Sequence, residues 1–181
     1  MLINFHGFLL NSNVSDNQIV MLIDAFDTFF NNIDGYEIVE KFEQFNCPIV
    51  FSTEENCWPS SYFPQAQISA DTLGFGDKPS RFFNSGGIIG YSYALKEMLY
   101  DVIKQLGLIT QKTRNQMVNE AINNRVWVEH YVSDQKYLWE YYFRKFQIGG
   151  GTACGNNGNI LPVLDVDHKI FSAPVFLKRN W

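Results

Sequence analysis

The most informative hydrophobic pattern in this chain is the unbroken apolar run Ile19–Ile23, which is followed by two acids, Asp24 and Asp27. A strand exposed on one face alternates apolar and polar residues, so an unbroken run indicates a strand covered on both faces, as in a parallel sheet between helices. In open α/β sheets, ligands bind in the crevice outside the carboxyl ends of the strands. We therefore expect Asp24 and Asp27 to lie at a ligand-binding edge.

The spacing of these two acids favours a metal ion. Neighbouring carboxylates repel each other unless a cation lies between them. Mg²⁺ and Mn²⁺ prefer oxygen ligands, and these ions in turn bind diphosphates. The structural alternative is that Asp24 begins a turn and Asp27 caps a following helix, because aspartate is common at both positions. The residues alone leave both interpretations open.

The rest of the pattern predicts alternating helices and strands. In chain order it predicts a helix over 36–45, a strand over 48–52, helices over 93–106 and 110–124, a strand or connector over 126–132, a helix over 137–143 and a last strand over 160–166. The order strand, helix, strand predicts a right-handed crossover and a parallel sheet. Residues 56–83 show no regular pattern and are interpreted as a long loop.

Gly86 and Gly87 lie in a polar segment that the pattern predicts to be a tight turn between apolar residues. Paired glycines permit backbone conformations closed to other residues, and they let a ligand approach the main chain. A hairpin or a bulge without a ligand is the alternative.

Composition narrows the classes of partner. The 181 residues suffice for one domain with a real core, and 46% hydrophobic and 16% aromatic content exclude disorder. A net charge of −5 leaves no basic surface for nucleic acid. No apolar stretch is long enough to cross a bilayer, and the first residues lack the basic start of a signal peptide. The three cysteines favour a reducing compartment, with one disulfide bond and one free thiol as the alternative.

Four stretches resemble the glycosyltransferase domain of the multifunctional procollagen lysyl hydroxylases. They are Ile-Asp-Ala-Phe-Asp at 23–27, Phe-Ser-Thr-Glu-Glu-Asn-Cys-Trp-Pro at 51–59, Arg-Phe-Phe-Asn-Ser-Gly-Gly-Ile-Ile-Gly at 81–90, and Leu-Asp at 164–165 followed by Ile-Phe at 170–171. The second and third are specific, because Cys-Trp-Pro after Ser-x-Glu and Asn-Ser-Gly-Gly between aromatics are rarely found together. Ser-Asp-Gln at 133–135 is a shorter fifth match. The similarity covers residues 19–172.

The resemblance implies an α/β fold of the GT-A glycosyltransferase type, in which a Rossmann-like mixed sheet flanked by helices binds a UDP-sugar through Mn²⁺. It implies transfer of glucose or galactose from that donor to hydroxylysine or galactosylhydroxylysine of a collagen-like polypeptide. The site residues that it implies are Asp24 and Asp27 as metal ligands, Asp134 and Glu54 as catalytic residues, and Trp58, Asn84, Gly86, Gly87 and Gln135 as substrate-binding residues.

Three of these residues also have ordinary structural interpretations. Trp58 is also consistent with a core aromatic residue, Asp134 with a helix cap, and Glu54 with a solvated loop acid.

The chain also departs from the pattern of this family. About twenty residues precede Asp24, fewer than a nucleotide-binding βαβ unit requires. The acidic run before Asp134 is reduced, and His168 is out of register with the family's late metal-binding histidine. We therefore expect one domain, residues 1–181, that is incomplete at both ends and lacks part of the N-terminal nucleotide-binding half.

Two other functions remain open at this point. One is a GT-A transferase that acts on another glycan or protein, and the other is a non-catalytic sugar-binding or collagen-binding relative. The resemblance alone implies the secretory pathway. The sequence leaves open the donor sugar, the stereochemistry of transfer and self-association as a homo-oligomer.

Overall fold

A computed structural model describes residues 2–24, 34–107, 134–148 and 161–171. In chain order its elements are α1 (Leu2–Asn11), β1 (Ile19–Ile23), α2 (Gly35–Glu43), β2 (Ile49–Glu54), a 3₁₀ turn (Ser60–Tyr62), α3 (Phe63–Thr72), β3 (Phe82–Tyr91), α4 (Ser92–Gly107), α5 (Asp134–Ile148) and β4 (Val163–Leu164). Asp27, Ser133, the helix predicted over 110–124 and the segment 126–132 lie outside the described residues.

The strands form a mixed four-stranded sheet in the order β1-β3-β2-β4. Strand β3 is antiparallel to both β1 and β2, and β2 pairs in parallel with β4. The mixed α/β fold is confirmed, whereas the prediction of a parallel sheet from the order β1-α2-β2 is wrong. β1 and β2 do run in the same direction, but β3 lies between them.

Hydrophobic clusters cover both faces of this sheet, as the apolar run Ile19–Ile23 predicts. Val20 and Leu22 pack against the larger cluster, which includes residues of α1, α4 and α5. Ile19 and Met21 pack against the smaller cluster, around Phe42 of α2. Every residue of β1 is only partly buried, because β1 is the end strand of the described sheet.

Three of the predicted helices are confirmed. Helix α2 covers most of the segment predicted over 36–45 but ends at Glu43, and its N-cap Asp34 accepts a hydrogen bond from the backbone N–H of Tyr36 at 3.1 Å. Helix α4 ends at the predicted Gly107. Helix α5 contains the predicted segment and buries a row of large side chains, Tyr137, Leu138, Trp139, Tyr141 and Tyr142.

Residues 56–83 are not a structureless loop, so that prediction is wrong. They contain the 3₁₀ turn and helix α3, which begins with Pro64 in its first turn. The helix buries Ala66, Ser69 and Ala70, while Phe63 and Ile68 are exposed. A helix that packs through small residues gives almost no hydrophobic periodicity, so the sequence pattern did not reveal it.

The cysteines agree with the alternative interpretation of one disulfide bond and one free thiol. Cys47 is disulfide-bonded, and Cys57 is a buried free thiol. Burial and the nearby charge of Glu54 raise the pKa of the Cys57 thiol to about 11. This thiol is therefore protonated and unreactive at neutral pH.

None of the helices in the described ranges combines the length and the apolar character needed to cross a membrane.

Candidate active site

Asp24 and Glu54 lie at the same edge of the sheet, because each follows or ends one of two strands that run in the same direction. Asp24 comes directly after β1, and Glu54 is the last residue of β2. Between them lies the first half of β3, where Asn84 is paired with Ser52. The edge therefore brings together three of the residues that the sequence predicts for the site.

A bulge in β3 connects Asp24 to Asn84. The pairing of β2 with β3 moves from Phe51–Ile88 to Ser52–Asn84, which leaves residues 85–87 of β3 without a partner on β2. Within the bulge, the carbonyl oxygen of Gly86 accepts a hydrogen bond from the backbone N–H of Asp24 at 2.9 Å. The backbone N–H of Gly86 donates to Oδ1 of Asn84 at 2.6 Å. One glycine thus holds both polar residues in place.

Gly86 and Gly87 belong to strand β3, so the prediction of a tight turn is wrong and the alternative of a bulge is correct. Neither glycine has a positive φ angle, in contrast to Gly74 at φ 80°. A Cβ at Gly86 would lie 2.8 Å from Oδ1 of Asn84 and 3.1 Å from Oδ2 of Asp24. A larger residue here would displace the side chains of Asn84 and Asp24, so glycine is favoured by crowding and not by a special backbone angle.

Asp24 is exposed. Within the described part of the chain no hydrogen bond or ion pair engages its carboxylate. An exposed carboxylate at the end of a strand is a suitable oxygen ligand for Mg²⁺ or Mn²⁺. Among the described residues no group of three or more metal-ligating side chains occurs. The donor chemistry of Asp24 fits the predicted ion, and Asp24 would hold it together with Asp27.

Glu54 lies in a more enclosed environment than Asp24. Its Oε1 atom accepts a hydrogen bond from Nε2 of Gln135 on α5 at 2.7 Å. Burial raises the pKa of Glu54 above its ordinary value, and side-chain hydrogen bonds from Gln135 and Asn84 act in the opposite direction. A partly buried carboxylate with a raised pKa holds its proton more tightly than an ordinary glutamate, which is a property found in groups that act in general acid–base catalysis.

Gln135 is buried and connects three parts of the site. Besides Glu54, its Nε2 atom donates to the carbonyl oxygen of Phe83 at 3.0 Å. Its Oε1 atom accepts a hydrogen bond from the hydroxyl of Ser85 at 3.3 Å. Gln135 therefore fixes the position of Glu54 relative to the bulge of β3.

The other two predicted residues lie around this cluster. Trp58 is 41% exposed, which excludes the interpretation as a core aromatic residue, and its carbonyl oxygen accepts a hydrogen bond from Nε1 of Trp139 at 3.0 Å. Asp134 is the first residue of α5 and lies next to Gln135 in the chain. A negative charge in the first turn of a helix also stabilises that helix, so the structural interpretation of Asp134 stays open.

One important residue was present in the sequence motifs but received no role there. Asp165 is fully buried, and its carboxylate accepts hydrogen bonds from the backbone N–H groups of Lys169, Ile170 and Phe171 at 2.7, 2.7 and 2.8 Å. The spacing of Leu-Asp and Ile-Phe was a signal for this turn. His168, which the sequence excludes as a ligand, has a positive φ of 54°, and its Nδ1 lies 2.9 Å from the carbonyl oxygen of Phe171.

Comparison with known protein families identifies the fold. The sequence model of the PLOD GT (glycosyltransferase) domain matches residues 4–118. This match covers α1 to α4 and includes Asp24, Glu54 and the bulge of β3. The chain belongs to the PLOD GT domain family. The predicted resemblance is thereby confirmed, and the mixed sheet flanked by helices agrees with the GT-A-like fold expected of this family.

Individual relatives of the PLOD GT domain match over shorter stretches. The chain is 34% identical over 86 residues to a procollagen-lysine,2-oxoglutarate 5-dioxygenase of Drosophila melanogaster, a stretch that is 48% of this chain and 11% of that protein. It is 28% identical over 88 residues to the human multifunctional procollagen lysine hydroxylase and glycosyltransferase LH3, covering 46% of this chain and 10% of that protein. The matched stretch is thus about a tenth of the length of these relatives.

Proposed function

We propose that this chain is a metal-dependent glycosyltransferase that transfers glucose or galactose from a UDP-sugar to hydroxylysine or galactosylhydroxylysine of a collagen-like protein. The observation that carries the proposal is the coincidence of the PLOD GT domain match with two acids at one edge of the sheet. Both relatives are named for procollagen lysine, and the name of human LH3 joins lysine hydroxylation with glycosyl transfer, which supports the choice of acceptor.

Asp24 and Asp27 are the proposed ligands of Mn²⁺. The support from the structure is the carboxylate of Asp24 at the carboxyl end of β1, which is exposed and which no described residue engages. When bound, the ion would supply Lewis-acid stabilisation of the negative charge that develops on the departing UDP. The hydrogen bond between the Asp24 N–H and the Gly86 carbonyl holds the main chain in place, so that the carboxylate projects from a rigid point.

Glu54 and Asp134 are the proposed catalytic residues. Glu54 is enclosed and hydrogen-bonded to Gln135, so it can bind a sugar or acceptor hydroxyl and exchange a proton with it. Asp134, next to Gln135, is proposed to orient the donor or to stabilise positive charge at its anomeric carbon. Trp58 would offer its exposed ring to a sugar, and Asn84, with Gly86 and Gly87, would line the pocket.

Calorimetry of the whole 181-residue chain with UDP, with and without Mn²⁺, tests the donor site. We expect binding that depends on Mn²⁺ and that is lost in the double variant Asp24→Ala with Asp27→Ala. Asp77→Ala is the matched control, because Asp77 is an exposed acid in a loop elsewhere on the surface. UDP binding that does not depend on Mn²⁺ and that is unchanged in the double variant would contradict the proposal.

A donor panel separates the proposed transferase from its two alternatives. UDP release is measured with UDP-glucose and UDP-galactose, in the presence and absence of peptides that contain hydroxylysine or galactosylhydroxylysine. We expect one donor and one peptide to increase UDP release together. Turnover that a collagen-like peptide does not stimulate indicates a transferase with another acceptor. Mn²⁺-dependent binding without any turnover indicates a non-catalytic relative.

A further inference from the structure

In the described sheet, the bulge of β3 is supported by β1 on one side but has no paired residues of β2 on the other. Residues 85–87 have no partner on β2, and two of the three are glycines, which have no side chain to pack. The same bulge holds the main chain of Asp24 through Gly86. On the side of β2, its geometry therefore depends on a contact other than strand pairing.

That contact comes from the ring of Phe171. A Cβ atom placed on Gly87 would lie 2.7 Å from two ring carbons of Phe171, so the ring lies directly on the backbone of Gly87. Gly87 is paired with Ile23, the last residue of β1. Phe171 therefore supports β3 next to the point where β1 ends and Asp24 begins.

Asp165 holds Phe171 in this position. Its buried carboxylate accepts the backbone N–H groups of residues 169–171, and these charge-assisted hydrogen bonds fix the turn that carries the ring. The turn itself is attached to β2, because the N–H of Asp165 donates to the carbonyl oxygen of Phe51 at 2.9 Å and its carbonyl oxygen accepts from the hydroxyl of Thr53 at 3.0 Å. Asp165 thus links β2, which its main chain contacts, to the turn that carries Phe171, which its carboxylate holds.

We infer that Asp165 is a positioning residue of the site: through Phe171 and Gly87 it fixes the bulge that holds Asp24. Asp165 does not contact the substrate in this account and is not a catalytic residue. The inference rests on the proposed function only where it concerns the metal. The arrangement of Asp24 itself is a property of the fold.

The test uses two variants of the whole chain. Asp165→Asn removes the charge and one of the two accepting oxygens, and Phe171→Ala removes the ring but keeps the turn. Asp167→Asn is the matched control for the first, since Asp167 belongs to the same turn and pairs with Lys78 on the surface. Ile170→Ala is the control for the second, because Ile170 packs on the same side of the sheet, against the smaller cluster.

The first measurement is hydrogen exchange of the Asp24 backbone amide by NMR, with amides of β2 as internal references. In both variants we expect a loss of protection at Asp24 and Gly86 that exceeds any change in β2, whereas both controls keep the wild-type pattern. A merely structural role of Asp165 would change all strands together. Should Asp165→Asn fail to fold, Phe171→Ala still decides the question. Unchanged protection of Asp24 in folded Phe171→Ala overturns the inference.

The second measurement is titration with Mn²⁺ alone, followed by electron paramagnetic resonance. Outer-shell residues of metal sites typically change affinity by about 10–100-fold, and we expect a decrease in this range for both variants. If the wild-type chain binds no Mn²⁺, the proposed function fails while the exchange result still decides the inference. If it binds Mn²⁺ and the variants bind equally well, the inference fails while the proposed function stands.

Discussion

Asp24 and Glu54 terminate two strands that run in the same direction, yet their surroundings differ. The carboxylate of Asp24 is exposed beside a glycine, and in the described part of the chain nothing engages it. The carboxylate of Glu54 is partly buried and hydrogen-bonded to Gln135, and burial raises its pKa. The tasks that we propose for the two acids differ accordingly. The open carboxylate suits a cation, and the enclosed one suits hydrogen bonding and proton exchange with a hydroxyl.

The strongest test of this comparison removes the charge of the open carboxylate. We expect Asp24→Asn to reduce turnover by about 10³-fold, because it weakens the electrostatic stabilisation of departing UDP. The substitution is isosteric and leaves the hydrogen bond from the backbone N–H to Gly86 in place, so the fold is retained. Initial rates of UDP release measure the effect, with Asp77→Asn as control. A variant that retains the wild-type rate would exclude Asp24 as a metal ligand.

Removing the charge of Glu54, the enclosed carboxylate, should reduce turnover less than Asp24→Asn does and should leave UDP binding unchanged. We expect Glu54→Gln to lower turnover by about 100-fold, the lower range for loss of a general acid or base, while Mn²⁺-dependent UDP binding is unchanged. The neighbouring exposed residue provides the control, Glu55→Gln. Rates and calorimetry are measured on the same samples. Loss of UDP binding in Glu54→Gln would show that the two acids do not have separate tasks.

Removing Gln135 tests whether the enclosure of Glu54 depends on its hydrogen bonds. Gln135→Ala removes one hydrogen-bond donor from Glu54 and one from the carbonyl oxygen of Phe83, so we expect the free energy of unfolding to fall by about 1–3 kcal/mol. Gln147→Ala, an exposed glutamine on the same helix, should change it little. Urea unfolding measures both variants. Equal stability of the two would indicate that these hydrogen bonds contribute nothing net.

The smallest expected effect is on the pH dependence of stability. Because the pKa of Glu54 is raised in the folded chain, the folded state binds its proton at pH values where the unfolded state has lost it. The free energy of unfolding therefore falls as the pH rises from the ordinary value of 4.5 through the raised value. Glu54→Gln should abolish this decrease in a series of urea unfolding curves.

The control for this pH series is Asp167, whose pKa is shifted in the opposite direction from that of Glu54. The pKa of Asp167 is lowered, first by its hydrogen bond to Lys78, so its contribution is lost as the pH falls. Asp167 is exposed, and its contribution is small because solvent screens the pair. Asp167→Asn should therefore leave the decrease above pH 4.5 intact. If that decrease persists in Glu54→Gln, another group is responsible for it.

Local patterns in the sequence predict a large part of the fold. The apolar run of β1 gave both the strand and the two covered faces, and the spacing of Ile38, Phe42 and Phe45 gave helix α2. The hydrophobic pattern did not predict helix α3, because small residues such as Ala66 and Ala70 form its buried side. The pattern also did not predict strand β3, because Gly86 and Gly87 suggest a turn when their partners on β1 are unknown.

The candidate site, like the fold, was predictable from the sequence only in part. Motifs identified Asp24, Glu54, Asn84 and Gln135 as a set, and the structure places these four at one edge of the sheet. Asp27 lies outside the described residues, so its role stays a prediction. The contact of Phe171 with Gly87 was not predictable, because it depends on how a turn after β4 packs onto a bulge in β3.

The sequence by itself determined the class of fold, the family and the identity of the acids, because these depend on residue types and on spacing along the chain. Only the tertiary structure decided the order of the strands and the environments that distinguish Asp24 from Glu54. The physical reason is distance along the chain: Glu54 and Gln135 are 81 positions apart, and Ser52 and Asn84 are 32 apart. Burial and hydrogen bonding between such residues arise only when the packed chain brings them into contact.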